Sequence, residues 1–119
     1  MARILIVDDK KFMRNTLKNI LTSDNHVVAG EAKDGKAAVR LYRELRPDLV
    51  TMDIIMPEMS GLEAIKIIRA EFPDAKIIMC SAMGQQKMII EAIEAGAKDF
   101  LVKPFDDCRL LEAINRVLK

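Results

Sequence analysis

The sequence predicts an α/β fold, a doubly wound five-stranded parallel sheet with helices on both faces. Three observations carry this reading. Five apolar, strand-like runs recur at similar intervals, at Ile4–Val7, Val27–Ala29, Leu49–Met52, Ile77–Cys80 and Phe100–Val102. Segments with helical periodicity lie between them, and strands alternating with helices at this spacing are βαβ units. The runs are apolar rather than alternating, as in strands buried on both faces of a parallel sheet. Right-handed crossovers then distribute the helices over both faces.

Taken in order, the first strand ends in Asp8-Asp9. Met13, Leu17, Ile20 and Leu21 form the apolar stripe of the first helix, and Ala38, Leu41, Tyr42 and Leu45 that of the second. Pro47 closes the second helix. The third strand runs into Asp53, and Pro57 stops regular structure four residues later. Ser60-Gly61-Leu62-Glu63 reads as a capping box, with Ser60 as N-cap and Glu63 reaching back. Leu62, Ile65 and Ile68 make the third stripe, and Pro73 follows it. The fourth helix carries Met88, Ile89, Ile90, Ala92 and Ile93, and Gly96 sits where a left-handed helix end belongs. Leu110, Leu111, Ile114 and Leu118 make the last stripe. No linker, repeat or low-complexity segment interrupts the pattern, so one (βα)5 domain over residues 1–119 is expected.

Composition narrows the function classes. Half of the 119 residues are hydrophobic and 31% are charged, with a net charge of +1. That is ordinary for a folded domain large enough to bury a core. No basic block points to nucleic acid. The apolar run at Ile4–Val7 is only four residues and ends in two aspartates, so neither a signal peptide nor a membrane span is expected. A cytoplasmic location follows as the expectation. Cys80, Cys108 and the single His26 share no metal-site spacing. Cys80 reads as a small buried hydrophobe, and His26, beside Asn25 in a turn, as solvated.

The chemistry gathers at the strand ends. In a sheet ordered 2-1-3-4-5, the first and third strands flank the point where the winding reverses, and ligands bind there, at the carboxyl edge. Asp8, Asp9 and Asp53 then converge. Three close carboxylates repel one another unless a cation shares the site, and carboxylate oxygens suit a hard divalent ion such as Mg2+. Singly, Asp8-Asp9 serves as well as a helix cap, and Asp53 as a turn former. Taken together, a metal site is the better reading. Ser81 follows the fourth strand, and Lys103 follows the fifth and precedes Pro104. Each alone is an ordinary turn residue. With the acids they supply what phosphoryl transfer needs: a carboxylate nucleophile, a metal, and donors for phosphoryl oxygens. Lys103-Pro104 is also a candidate cis bond.

The set Asp8-Asp9, Asp53, Ser81 and Lys103-Pro104, in order at the strand ends, resembles the receiver domain of two-component response regulators. The stretches FMR after the acidic pair, TMDIIMPEMSG, SAMGQQ and EAIEAGAKDFLVKPF resemble its chemotaxis members most. The match spans the whole chain. It implies a flavodoxin-like fold with strand order 2-1-3-4-5. Members of this family are among the standard examples of that order, so the order belongs to the resemblance and is not independently derived. The resemblance implies that Asp53 accepts a phosphoryl group from a histidine kinase of the CheA type. Asp8, Asp9, Asp53 and the backbone carbonyl of Ile55 would hold Mg2+, for which Mn2+ would substitute. Ser81 would bind the new phosphate and Lys103 would pair with it. Phe100 matches the aromatic switch position, which turns inward as Ser81 shifts. The protein would be a switch that catalyses only its own phosphoryl transfer and dephosphorylation.

Two departures stand out. Phe100 replaces the tyrosine of many relatives and has no hydroxyl for a partner. Ile55 and Met83, two residues beyond Asp53 and Ser81, are apolar and cannot orient an attacking water, so the phosphoryl group is expected to outlast that of relatives with polar side chains there. The last helix pattern reaches Lys119, so no output domain is expected and the output is docking by a monomer. The fourth helix is more apolar than one buried stripe requires. By resemblance, its face with the fifth strand and fifth helix would bind a flagellar motor switch protein and the kinase, with Ile89, Phe100 and Lys98 as candidates. A phosphatase is a further possible partner. The alternative within the family is a stand-alone receiver of a phosphorelay or another two-component pathway. A haloacid-dehalogenase-type phosphotransferase would want a second aspartate where Ile55 stands. An FMN binder would want a Ser/Thr/Gly-rich loop in place of Asp8-Asp9-Lys10-Lys11.

Overall fold

The computed structural model describes residues 1–119. Strands β1 (Arg3–Val7), β2 (Val27–Ala32), β3 (Leu49–Asp53), β4 (Ile77–Ser81) and β5 (Asp99–Val102) form one parallel sheet in the order β2-β1-β3-β4-β5. They alternate with α1 (Lys11–Ser23), α2 (Gly35–Leu45), α3 (Gly61–Glu71), α4 (Gln86–Glu94) and α5 (Asp107–Leu118). This is the expected flavodoxin-like architecture.

Strand alternation splits the core into two layers. Leu5, Val7, Val50, Met52, Ile77 and Met79 point to one face, against Ala38, Val39 and Tyr42 of α2, Ala64, Ile65 and Ile68 of α3, and Ile89 and Ala92 of α4. Ile4, Ile6, Leu49, Ile78, Cys80 and Leu101 point to the other, against Leu17 and Leu21 of α1 and Leu110, Ala113 and Ile114 of α5. Both faces being covered explains why β3 and β4 read as unbroken apolar runs. The edge strand β2 is longer than its apolar run because Gly30 and Glu31 continue its ladder with β1, past a register shift at Ile4/Leu5.

The helix ends mostly follow local chemistry. Asp34, Ser60 and Asp106 cap α2, α3 and α5, accepting from Ala37, Glu63 and Arg109 N–H at 2.8, 3.1 and 2.8 Å. Only half of the expected capping box forms, since the Glu63 side chain makes no return bond to Ser60. Gly96, at φ +114°, ends α4, and Ala97 N–H reaches back to Ala92 O at 2.9 Å. Neither Asp8 nor Asp9 caps α1, whose N-cap is Lys10 with no side-chain bond.

His26 is not solvated, contrary to expectation. It is buried, its Nδ1 accepts the Ala2 N–H at 3.1 Å, and its Nε2 lies 3.4 Å from Asp24. Val27 N–H bonds to Ala2 O where β2 begins beside β1, which draws the preceding ring under the chain start. Cys80 is buried as expected, and that burial pushes its thiol up to about 12. Cys108 is exposed and unpaired.

Candidate functional site

Strand pairing alone brings the polar strand ends together. Val7 lies opposite Met52, Asp53 opposite Cys80, and Ser81 opposite Val102. The chain therefore leaves β1, β3, β4 and β5 at one edge, carrying Asp8-Asp9, Asp53, Ser81 and Lys103. Carboxylate oxygens of Asp8, Asp9 and Asp53 all lie within 4.8 Å of one another.

Asp8 is the most firmly held. Its backbone N–H donates to Ala32 O at 3.0 Å. Its Oδ1 accepts the Lys10 N–H at 2.9 Å, and its Oδ2 accepts Lys103 Nζ at 3.0 Å. The same ammonium stands 3.4 Å from Asp53 Oδ1, so one lysine serves two carboxylates. Asp53 Oδ1 also accepts the Ile54 N–H at 3.1 Å, whereas Oδ2 takes part in no hydrogen bond within the protein. Asp9 is exposed. The peptide bond between Lys103 and Pro104 is cis.

The electrostatics follow from this crowding. Burial raises the Asp53 carboxyl above its usual range; Lys103 opposes that, while Asp8 and Asp9 add to it. Burial would lower the Lys103 ammonium, but the hydrogen bond to Asp8 and the charges of Asp53 and Asp8 outweigh it and raise it. Three carboxylates gather here and one ammonium pairs with only two of them, so the cluster is short of positive charge. An all-oxygen donor set with that deficit fits a hard divalent cation. The carbonyl of Ile55 accepts none of the backbone hydrogen bonds, while the Ile55 side chain is 52% exposed.

Ser81 is fully buried, and its Oγ has no partner in the protein. An unpartnered buried hydroxyl costs about 1–3 kcal/mol, so its place calls for an acceptor. The loop that follows, 82–85, is open. Gly84 has φ +89° with nothing near its missing Cβ, and Met83 is 79% exposed.

Two residues at this edge have no site role in the sequence reading. Gly61 was legible only as part of a helix start, yet a Cβ there would collide with the Asp53 carbonyl oxygen. Its N–H donates to Ile54 O at 2.6 Å, so α3 presses its first turn onto the backbone that carries Asp53. Arg14, quoted only within the stretch FMR and given no role there, donates from Nη1 to Asp8 O at 2.7 Å.

Below the open loop, a groove of about 460 Å³ runs between α4 and β5, lined by Met83, Ile90, Ile93, Phe100 and Val102 over Ile89. The three candidate partner residues sit differently about this groove. Ile89 is 8% exposed and forms the floor, because it is on the stripe that faces the sheet; Ile90 and Ile93 are the exposed residues, at 57% and 46%. Phe100 is partly buried, and Lys98 is exposed but does not line the groove.

Comparison with known proteins gives a family for this geometry. Residues 4–115 match the model of the response regulator receiver domain. The chain is 62% identical over 117 residues to the chemotaxis protein CheY of Thermotoga maritima, covering 98% of each chain. It is 60% identical over 116 residues to CheY of Bacillus subtilis, covering 98% of this chain and 97% of that one. Among solved structures, the CheX–CheY–BeF3–Mg2+ complex from Borrelia burgdorferi matches with a TM-score of 0.94 at 35% identity, over 98% of this chain and 89% of that one. Strand order, strand-end residues and sequence agree: this chain belongs to the response regulator receiver family and is CheY-like.

Proposed function

We propose that the protein is a chemotaxis response regulator, switched by phosphorylation of Asp53. The observation that carries the reading is the division of labour at Asp53, where Oδ1 is engaged by the Ile54 N–H and faces Lys103 while Oδ2 remains free. Asp53 Oδ2 attacks the phosphorus of a phosphohistidine on a CheA-type kinase. The new O–P bond forms as the P–N bond breaks, and the electron pair leaves on the imidazole nitrogen. Asp8, Asp9, Asp53 and the Ile55 carbonyl are the residues that would hold Mg2+, or Mn2+ in its place. When bound, the ion neutralises charge on the transferring phosphoryl oxygens. Lys103, already between Asp8 and Asp53, pairs with a phosphoryl oxygen. The unpartnered Ser81 hydroxyl donates to another.

Phosphorylation adds about −1.5 to −2 charge, enough to draw Ser81 toward Asp53 and the loop at Met83 and Gly84 with it. Phe100, in the groove beside that loop, then repacks inward, a population shift between two arrangements of one surface. The groove and its flank at Lys98 dock a flagellar motor switch protein. The relatives named CheY support the chemotaxis assignment, and the Borrelia complex supports a CheX-type protein as a further partner, in the place of the expected phosphatase. The site is a switch that performs only its own phosphoryl transfer and hydrolysis. No helix is long and apolar enough to cross a membrane, and the chain is read as cytoplasmic and monomeric.

The test is phosphorylation by phosphoramidate with Mg2+, read by intact mass. One phosphoryl group is expected on the native chain and none on Asp53→Asn or with chelator present. Undiminished labelling of Asp53→Asn overturns the assignment. A pull-down with and without beryllofluoride then decides the pathway. Capture of a motor switch protein only on activation supports chemotaxis, and capture of a histidine phosphotransferase instead favours a phosphorelay.

A further inference from the structure

We propose that Arg14 is a positioning residue, fixing the Asp8–Asp9 peptide in the orientation that presents both carboxylates; this rests on reading the acidic cluster as the metal and phosphoryl site. Arg14 lies in the first turns of α1, with its side chain only 16% exposed. Its guanidinium makes two different bonds. Nη1 donates to Asp8 O at 2.7 Å, and Nε donates to Glu31 Oε1 on β2 at 3.1 Å. The next residue of β2, Ala32, accepts the Asp8 N–H at 3.0 Å. Asp8 is thus tied to β2 at both ends, directly through its N–H and through Arg14 at its carbonyl.

That carbonyl belongs to the peptide joining Asp8 to Asp9. Rotating its plane swings the Asp9 Cα and with it the Asp9 carboxylate. The Asp8 carboxylate has fixed points of its own in Lys10 N–H and Lys103 Nζ. Asp9 is exposed and its carboxylate lacks both; its backbone is held on either side, by Arg14 at the Asp8 carbonyl and by the Lys10 N–H bond to Asp8 Oδ1, and Arg14 is the side chain among these restraints. The planar guanidinium can hold a carbonyl and a carboxylate at once, whereas a lysine ammonium on a flexible stem holds such a pair less rigidly. Groups that orient ligating carboxylates in this way typically affect metal affinity by about 10- to 100-fold.

Charge and positioning predict opposite signs, which makes the role testable. Arg14 is a cation beside a cation-binding cluster, so removing its charge alone would tighten Mg2+ binding. Losing the orientation of Asp9 would weaken it. The experiment is calorimetric titration of the full chain with Mg2+, together with amide NMR spectra of the metal-free protein. Arg14→Met is expected to bind Mg2+ about tenfold more weakly, and Arg14→Lys to recover part of that loss. The Asp9 amide resonance is expected to move in Arg14→Met while those of residues 86–93 stay in place.

Arg14→Met/Glu31→Leu removes both charges and leaves no unpaired carboxylate, so it covers the case in which the single variant fails to fold. Weaker binding in this neutral pair also supports positioning. Mg2+ affinity equal to or tighter than native in either folded variant overturns the proposal. A native chain whose Mg2+ binding is absent, or is unchanged by Asp53→Ala, overturns instead the reading of the cluster on which the proposal rests.

Discussion

The acidic edge and the groove between α4 and β5 share the ends of β4 and β5, yet they are organised in opposite ways. At the edge, Asp8 is 2% exposed, both its carboxylate oxygens are bonded, and Lys103 bridges it to Asp53. At the groove, apolar side chains stand in the open, and the loop above it carries Gly84 with free space around it. The link is short. Ser81 ends β4 at the edge while Met83, two residues on, hangs over the groove, and Lys103 N–H bonds to Ser81 O at 2.7 Å. Polar groups held rigidly in place can sense an added charge, and loosely covered apolar groups can respond to it. Under the proposed function the first region would sense and the second respond, with the unpartnered Ser81 hydroxyl between them.

Removing the shared cation should break this arrangement most severely. Lys103→Met leaves Asp8 buried without its ammonium, and loss of one partner from a buried pair costs about 3 kcal/mol. Urea unfolding in chelator would measure it, and added Mg2+ should restore part of the loss. A change of less than about 1 kcal/mol would mean that the ammonium is effectively solvated. The next effect is kinetic. Ile55 and Met83 are exposed, apolar and near the proposed phosphoryl group. Ile55→Asn/Met83→Glu supplies side chains able to orient water, and dephosphorylation should accelerate by about tenfold or more. An unchanged decay rate would remove these positions from the control of phosphate lifetime.

The edge was legible in the sequence because its information is topological. Once the apolar runs are strands and their order is known, residues immediately after them must meet. Asp8, Asp53, Ser81 and Lys103 are brought together by strand order, whatever their rotamers. Contacts that depend on side-chain reach were not legible. Arg14 lies on the polar side of an ordinary amphipathic helix, and nothing in its spacing tells which acceptor its guanidinium finds. Gly61 looked like a permissive residue in a helix start, although the close approach of Asp53 is what requires it. His26 was misplaced because burial at a strand start depends on how β1 and β2 align. On α4 the sequence indicated an apolar excess, but rotation about the helix axis decided that Ile89 is floor and Ile90 is surface.

A smaller effect concerns the charge on Asp53 itself. Its carboxyl is raised in the folded protein, chiefly by burial. A group whose folded value is raised stabilises the fold below its unfolded value, and that contribution is lost as pH rises through the folded one. At neutral pH without metal, ionised Asp53 is therefore destabilising. Asp53→Asn relieves the burial of an ionised carboxylate and its repulsion by Asp8 and Asp9, and should be more stable by on the order of 1 kcal/mol, the usual size of a single-substitution effect. The gain should vanish toward pH of about 4, where the unfolded aspartate takes up its proton. Urea midpoints at both pH values, in chelator, check it, and a native chain more stable than Asp53→Asn at pH 7 reverses the sign.

The smallest expected change in stability carries the sharpest functional contrast. Ile90 is 57% exposed, so Ile90→Ser should alter stability by no more than about 0.5 kcal/mol. The acidic edge should be untouched, with phosphorylation by phosphoramidate at the native rate. If the groove is the responding region, beryllofluoride-dependent capture of a motor switch protein should nevertheless fall strongly, because an exposed isoleucine in an apolar groove contributes most when a partner covers it. Capture at the native level would move the response away from the groove and toward the flank at Lys98. Reduced phosphorylation in Ile90→Ser would break the comparison in another way, because the two regions would then share one equilibrium in which the groove side chains already bias the state of the edge.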